Sequence, residues 1–337
     1  MLDLAREDAP PKQPVRWRRR SVAMTVWTVL FAAASMTVGV PTDPAFAFVW
    51  LWAVVIAWNI DRPWREHLRF GRDWWPAVAV LVVYTVSRGY ADRGAPIPHV
   101  RELVAADERL WGWATGGVPP SVWLQRALFD PVHIHWWDVA VSFVYFSHFL
   151  VVPGIAAILW VRNRARWGHF MRRWITLSIA GLATYFAYPA APPWLAARYG
   201  LPFDVGRIST RGWDAIGLHG AGNAVSMAQL DASNQIAAMP SLHSAFALLA
   251  VLFIAPAVRR RWWPLLAAYP LAMTFTLMYG GEHWVIDVLA GWSYVLVTLA
   301  AVSGAERWWT RRRLSRELER SLDDIEQRER RSIAVLD

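Results

Sequence analysis

The sequence predicts an all-α, polytopic integral membrane protein with about eight transmembrane helices. Three observations carry this. Of 337 residues 55% are apolar, and they gather in runs long enough for a bilayer. Arginine clusters fall between alternate runs, the pattern of cytoplasmic loops. Many of the 24 tryptophans sit at run ends (Trp74, Trp75, Trp136, Trp137, Trp262, Trp263), as in an interfacial belt.

The runs cover residues 21–40, 44–60, 75–87, 138–161, 174–188, 242–257, 263–279 and 284–303. The first follows Arg16-Trp17-Arg18-Arg19-Arg20 and resembles a secretory signal, with Ala45-Phe46-Ala47 as its cleavage site. Its length of about 20 residues favours a retained helix instead. The third and fifth runs are short for a crossing. Between the third and fourth, Pro119-Pro120-Ser121 reads as a helix start with Ser121 as cap, opening an amphipathic stretch to Phe129 that lies in the interface. Residues 189–234, rich in Gly and Pro, read as a lid or loop over one face. Residues 307–331 alternate Arg and Glu at helical spacing and read as a solvated helix without chemistry.

Charge sets the expected topology. Arginines 16–20, 62–72, 162–173, 259–261 and those of the tail all fall on one side, the cytoplasm. Both termini are then cytoplasmic, and residues 88–137, 189–241 and 280–283 face the extracytoplasmic side. The expected division is a basic N-terminus (1–20), two additional helices (21–74), a catalytic domain (75–303) and a charged tail (304–337). The net charge of +9 is almost wholly arginine, since Lys12 is the single lysine, and it reads as loop charge, not a nucleic-acid surface. The absence of cysteine excludes disulfides, thiolate nucleophiles and cysteine metal sites.

Two histidines stand out because each opens an apolar run. His243 lies in Met239-Pro240-Ser241-Leu242-His243-Ser244, and His283 in Gly280-Gly281-Glu282-His283-Trp284-Val285-Ile286-Asp287. Ionisable groups at membrane depth are functional candidates by default. Asp287, four residues beyond His283, is expected on the same helical face, where its carboxylate orients the imidazole. Gly280 and Gly281 permit a close backbone approach. A phosphoryl group between the two rings meets a nucleophile on one side and a proton donor on the other. His283 and Asp287 alone equally describe a structural pair or two ligands of a metal. His148, well inside the fourth run, reads either as a neutral core histidine or as a neighbour of the site, with Tyr145 and Ser147 as its partners. His67, His99, His133, His135, His169 and His219 read as satisfied polar residues.

The two motifs resemble those of the type-2 phosphatidic acid phosphatase superfamily, the membrane lipid phosphate phosphatases. Pro240-Ser241-Leu242-His243 resembles its second motif. Gly281-Glu282-His283 with Asp287 and Gly291 resembles its third. The string Asn234-Gln235-Ile236-Ala237-Ala238-Met239-Pro240-Ser241-Leu242-His243 is closer to the branch of inositol phosphorylceramide synthases and related inositol phosphotransferases. The likeness spans roughly residues 88–292. It implies a six-helix catalytic bundle and a metal-independent phosphohistidine mechanism without a cofactor. In it His283 is the nucleophile, Asp287 orients it and His243 protonates the leaving group. The substrate it implies is a lipid phosphate or phospholipid, with transfer of an inositol-phosphate-like headgroup. Hydrolysis of a phosphatidic-acid-like or polyprenyl phosphate is the alternative.

The sequence departs from the family at the phosphate. The first motif's Lys and Arg are replaced by the uncharged Tyr188-Pro189-Ala190-Ala191-Pro192-Pro193-Trp194, and the third motif's Arg by Leu277. Fixed positive charge must come from elsewhere. Arg88 is the first candidate, followed by Arg198, Arg207 and Arg211, with Ser241 and His148 as further contacts. Outside this family, His148 and His243 on separate helices suit haem ligation, although they are expected at different depths. A transporter is the third class, disfavoured because the sequence holds no internal repeat.

Overall fold

The computed structural model describes residues 17–37, 44–92, 97–217 and 234–336, and within them the chain is built from helices. It begins with α1 (Trp17–Thr37), α2 (Pro44–Trp58) and α3 (Trp64–Asp92), then the short α4 (Arg101–Thr115) and α5 (Pro120–Leu128). The long pair α6 (Trp136–Arg162) and α7 (Arg164–Ala187) follows, then a 3-10 turn (Pro193–Tyr199) and one turn of helix, α8 (Gly212–Ala215). The last three are α9 (Leu242–Ile254), α10 (Trp263–Tyr279) and α11 (Val285–Leu336).

Within the described residues, each of the eight expected apolar runs falls mainly on a helix. Among the described residues, two stretches are long and apolar enough by themselves to cross a membrane, Trp136–Arg162 and Val285–Ile325, with Phe46–Trp58 and Leu242–Ala257 as shorter apolar helices. The third and fifth runs are the later parts of longer helices. α3 starts eleven residues before its apolar run, and α7 ten before its own. Arg65, Arg69 and Arg72 of α3 and Arg164, Arg166, Arg172 and Arg173 of α7, assigned to loops, therefore lie in helical first halves, where charge hides the helix from an apolar pattern. Asn163 alone separates α6 from α7, its side chain accepting the Arg166 N–H at 3.0 Å as a helix cap. Ser121 is not the cap of α5. The cap lies two residues earlier, with Pro119 at the cap position and Pro120 at the first helical position, where a missing N–H costs nothing.

Packing divides the molecule into two layers. Toward the arginine-rich ends of α3, α6 and α7, a core forms around Phe70, Trp74, Trp160, Phe170, Trp174 and Leu249. Phe70 is fully buried, stacks on Trp74 at 4.8 Å and meets the edge of Trp160 at 5.0 Å, so α3 is docked on α6 by aromatic contacts. At this end Glu306 of α11 accepts hydrogen bonds from Arg172 (2.7 Å) and Arg173 (3.0 Å) of α7 and sits 2.8 Å from His169 Nδ1. Partial burial would raise the Glu306 carboxyl, but these partners outweigh it and hold it down at about 2.

The opposite end is closed by a second core, made from the short helices α4 and α5 and the segments that lead into α4, α9 and α11: Val100, Leu103, Val104, Val122, Ala190, Ala191, Leu195, Val205 and Trp284. Two isolated parallel bridges, His99 to Ala190 and Ala190 to Ala237, tie three of these segments together. Residues 189–217 of the expected lid are thus a packed layer with its own apolar interior. Residues 218–233 of that segment, including His219, lie outside the described residues.

Candidate active site

The Pro240-Ser241-Leu242-His243 turn is held on three sides. The Ser241 side chain caps α9, accepting the Ser244 N–H at 3.4 Å, while the Ser241 N–H donates to the Asp287 carbonyl at 2.9 Å. Tyr185 Oη donates to the Pro240 carbonyl at 2.9 Å. Gly291 lies against the Ser241 carbonyl so closely that a Cβ there would collide with it. This contact joins the two motifs, since α9 meets the first turns of α11 only where α11 lacks a side chain.

His283 precedes α11 and is not on its helical face. Gly281 turns the chain with φ +73°, and a Cβ at that position would meet the Gly206 carbonyl at 2.5 Å. Trp284, fully buried, donates from Nε1 to the Ala191 carbonyl at 2.8 Å and pins the segment. Asp287, in the first turn of α11, accepts the Trp284 N–H on Oδ2 at 2.9 Å. The same oxygen lies 3.4 Å from His283 Nδ1. The expected His–Asp pairing is present, but it comes from a carboxylate folding back over a helix N-terminus, not from two residues one turn apart. Both side chains are buried, and His283 Nδ1 and Asp287 Oδ1 have no hydrogen-bond partner among the described residues.

The two motif histidines meet. The ring centroids of His243 and His283 are 5.7 Å apart. His148 joins them, its ring 4.2 Å from that of His243 and 5.8 Å from that of Phe246. His148 lies twelve residues into α6, about 18 Å along the helix axis. The site is therefore sunk below the start of α6, and the second core covers it. Of the partners expected for His148, Tyr145 stands by His243 (5.4 Å between rings), whereas Ser147 bonds to Tyr269 Oη at 3.0 Å and has no part in the site. His148 and His243 are in ring contact at the same depth, against expectation, and no macrocycle fits between them. A haem held by this pair is excluded on that ground.

The four candidate arginines separate clearly. Arg207 enters the site. Its Nε donates to Glu282 Oε1 at 2.9 Å, and its guanidinium lies over Trp194 at 5.2 Å. The Tyr145 hydroxyl lies beside it, and it is within electrostatic reach of His243. Among the described residues its buried Nη1 has no hydrogen-bond partner. Arg211 turns the other way, donating to the His133 carbonyl at 2.9 Å and covering the Phe129 ring. Arg198 is exposed, its guanidinium 5.8 Å from the Trp194 ring. Arg88 lies in the last turns of α3, and its side chain is outside the described residues. Leu277, at the position of the lost motif arginine, is fully buried.

Sequence reasoning missed the residues that hold this arrangement. Glu282 is one, although an unpaired carboxylate between Gly281 and His283 already demanded a cation. Gln125 of α5 is another: its amide donates to the Gly206 and Tyr279 carbonyls (both 2.8 Å) and accepts the Gly206 N–H (2.9 Å). Asp107 of α4 is the third. Fully buried, it accepts the Val285 and Ile286 N–H groups at 2.9 Å each and so caps α11 from another helix. Burial pushes its carboxyl up to about 7 despite those two hydrogen bonds. Four of the other histidines are occupied elsewhere: His99 stacks on Tyr188, His133 pairs with Asp130, His135 caps α6 and His169 meets Glu306. Among the described residues no group of three His, Cys, Asp or Glu has the arrangement of a metal site.

A family model described as the PAP2 superfamily matches residues 117–301, more than half of the chain. The chain belongs to the PAP2 superfamily. Its apolar helices suit a membrane protein of that superfamily, whose members hydrolyse or transfer lipid phosphates. Among curated proteins, phosphoinositol dihydroceramide synthase of Bacteroides thetaiotaomicron is 29% identical over 177 residues, 49% of this chain and 56% of that relative. The chain thus spans about half the length of the curated relative it matches. No solved structure matches it. The matched region takes in α5 to α10 and the start of α11, including His148, Arg207, His243, His283 and Asp287, so the superfamily match and the histidine cluster coincide on one set of elements.

Proposed function

We propose that this PAP2 protein is a metal-independent membrane lipid phosphotransferase that works through a phosphohistidine on His283 and moves an inositol-phosphate-like headgroup between lipids. The observation that carries this reading is the pair of facing imidazoles, 5.7 Å apart, with Asp287 3.4 Å behind Nδ1 of one of them. A carboxylate at that position favours the proton on Nδ1 and leaves the Nε2 lone pair free to attack. The 3.4 Å separation shortens when substrate tightens the site.

In the first half-reaction His283 Nε2 attacks phosphorus, the bond from phosphorus to the leaving oxygen breaks, and His243 gives that oxygen a proton. In the second, an acceptor oxygen attacks phosphorus, its proton passes to His243, and the P–N bond breaks to restore His283. A lipid hydroxyl as acceptor gives transfer, and water gives hydrolysis. The relative's name, a synthase, favours the hydroxyl, and so does the apolar layer over the site, which restricts water. Arg207 supplies the positive charge that stabilises the transferring group, in place of the missing motif residues. His148 backs the His243 ring, and Ser241 acts through the cap that fixes His243. The eight helices cross the bilayer with both termini cytoplasmic and the site toward the extracytoplasmic side, a lipid tail entering between helices.

The test is a parallel assay of candidate phospholipids and lipid phosphates, with and without an alcohol acceptor and with and without chelator. The reading expects headgroup transfer that depends on acceptor and survives chelation. Free phosphate release in place of transfer would assign a phosphatase, and loss of turnover on chelation would contradict the mechanism.

A further inference from the structure

Arg207 does not bring an unbalanced charge to the site. Its Nε is bonded to Glu282 Oε1 at 2.9 Å, and Ser209 Oγ donates to the same oxygen at 2.6 Å. The Glu282 residue is 6% exposed and the Arg207 side chain 16% exposed, so water does little to screen the pair. The loop carrying Arg207 and Ser209 is fixed at both sides. Gln125 brackets Gly206, and the Ile208 N–H donates to the Gly280 carbonyl at 3.2 Å. Nη1, on the side away from that bond, is buried and has no hydrogen-bond partner among the described residues, so it is placed to donate to a phosphate. The centre therefore offers a directed N–H donor whose positive charge is already matched by a carboxylate one residue before the nucleophile.

We infer that Glu282 is a specificity-determining residue, which by neutralising Arg207 makes the site favour a phosphoryl group with one negative charge, as in a phosphodiester, over the doubly charged monoester. This rests on the reading of the site given above. A monoester dianion needs a second unit of positive charge that the Arg207–Glu282 pair does not supply. The carboxylate also repels that extra charge across a short, poorly screened distance, which is worth a factor on the order of tens in binding. Glu282 acts through Arg207 and through its field, so it is a positioning residue and not a catalytic one.

Two measurements test this. The first uses the unaltered protein in detergent at a pH where monoesters are dianions, titrated calorimetrically with a dialkyl phosphate and with a monoalkyl phosphate of matched chain. The diester should bind at least about tenfold more tightly. Equal binding, or preference for the monoester, overturns the inference. The second uses Glu282→Gln, which keeps an oxygen to accept from Arg207 and Ser209 but removes the charge. The diester-to-monoester ratio should fall by about tenfold while the variant still transfers headgroup. A folded variant with an unmoved ratio overturns the inference, and if the variant does not fold the first titration decides alone. Failure of the underlying reading looks different: the unaltered protein would turn over no lipid phosphate and bind neither ester.

Discussion

At the scale of residues, the account rests on what surrounds His283. Gly281 lets the chain reach it, Trp284 anchors it, and Asp287 stands behind its Nδ1. Asp287→Asn should leave the fold in place and lower the turnover number far more than it raises KM, because an amide cannot stabilise the imidazolium formed in the transition state. Steady-state kinetics on a phospholipid donor checks this. Arg207→Lys keeps the charge but loses the fork proposed to reach from Glu282 to the phosphate, and it should cost about 10²-fold or more in kcat/KM. The same change at Arg198 or Arg211 should cost little. These roles were unequally visible in the sequence. His243, His283 and Asp287 could be read from position and motif, because local chemistry carries them. Arg207 could only be placed among four arginines, since its partner Glu282 is 75 residues away and nothing local joins them.

At the scale of elements, the start of α11 is the critical piece. Its first N–H groups would be orphaned without Asp107, and Asp107→Ala should destabilise the protein by about 1–3 kcal/mol for each N–H left unsatisfied, measured by thermal unfolding in detergent. The titration of Asp107 has a definite sign. Its carboxyl is raised in the folded protein to about 7 from an ordinary 3.8, so the native state holds this proton more firmly than the unfolded one. Its contribution to stability is fully present below about pH 4 and is lost as the pH rises through about 7. Asp107→Asn should flatten the fall in melting temperature across that window, and an unchanged slope would show that another group is responsible. Gly291→Ala should cost about 1–3 kcal/mol by pushing α11 off the Ser241 carbonyl. The helices themselves were legible as apolar runs. The starts of α3 and α7 were not, because charged first halves look like loops to an apolar pattern, and the tertiary cap from α4 leaves no local trace.

At the scale of the molecule, two packed layers place a buried cluster of three histidines beneath a cap built from the short helices α4 and α5 and the neighbouring connecting segments. Charge alternation foretold which segments gather at that end, but it did not foretell that they form a second apolar core. The proposed orientation can be checked directly, because the sequence has no cysteine of its own. Val132→Cys, at a position 77% exposed near the cap, should react with an impermeant maleimide on intact cells. Leu318→Cys, at a position 62% exposed on the tail helix, should react only after the cells are opened. Reversed labelling would invert the topology.

The central claim is the covalent intermediate on His283, and it is tested most directly by trapping it. The protein and its His243→Ala variant are quenched during turnover of a phospholipid labelled in its phosphoryl group, then digested and sequenced by mass spectrometry. The account predicts an acid-labile, base-stable adduct on His283 that carries the headgroup phosphate, with none in His283→Ala. An adduct on another residue, or full turnover by His283→Ala, would contradict it.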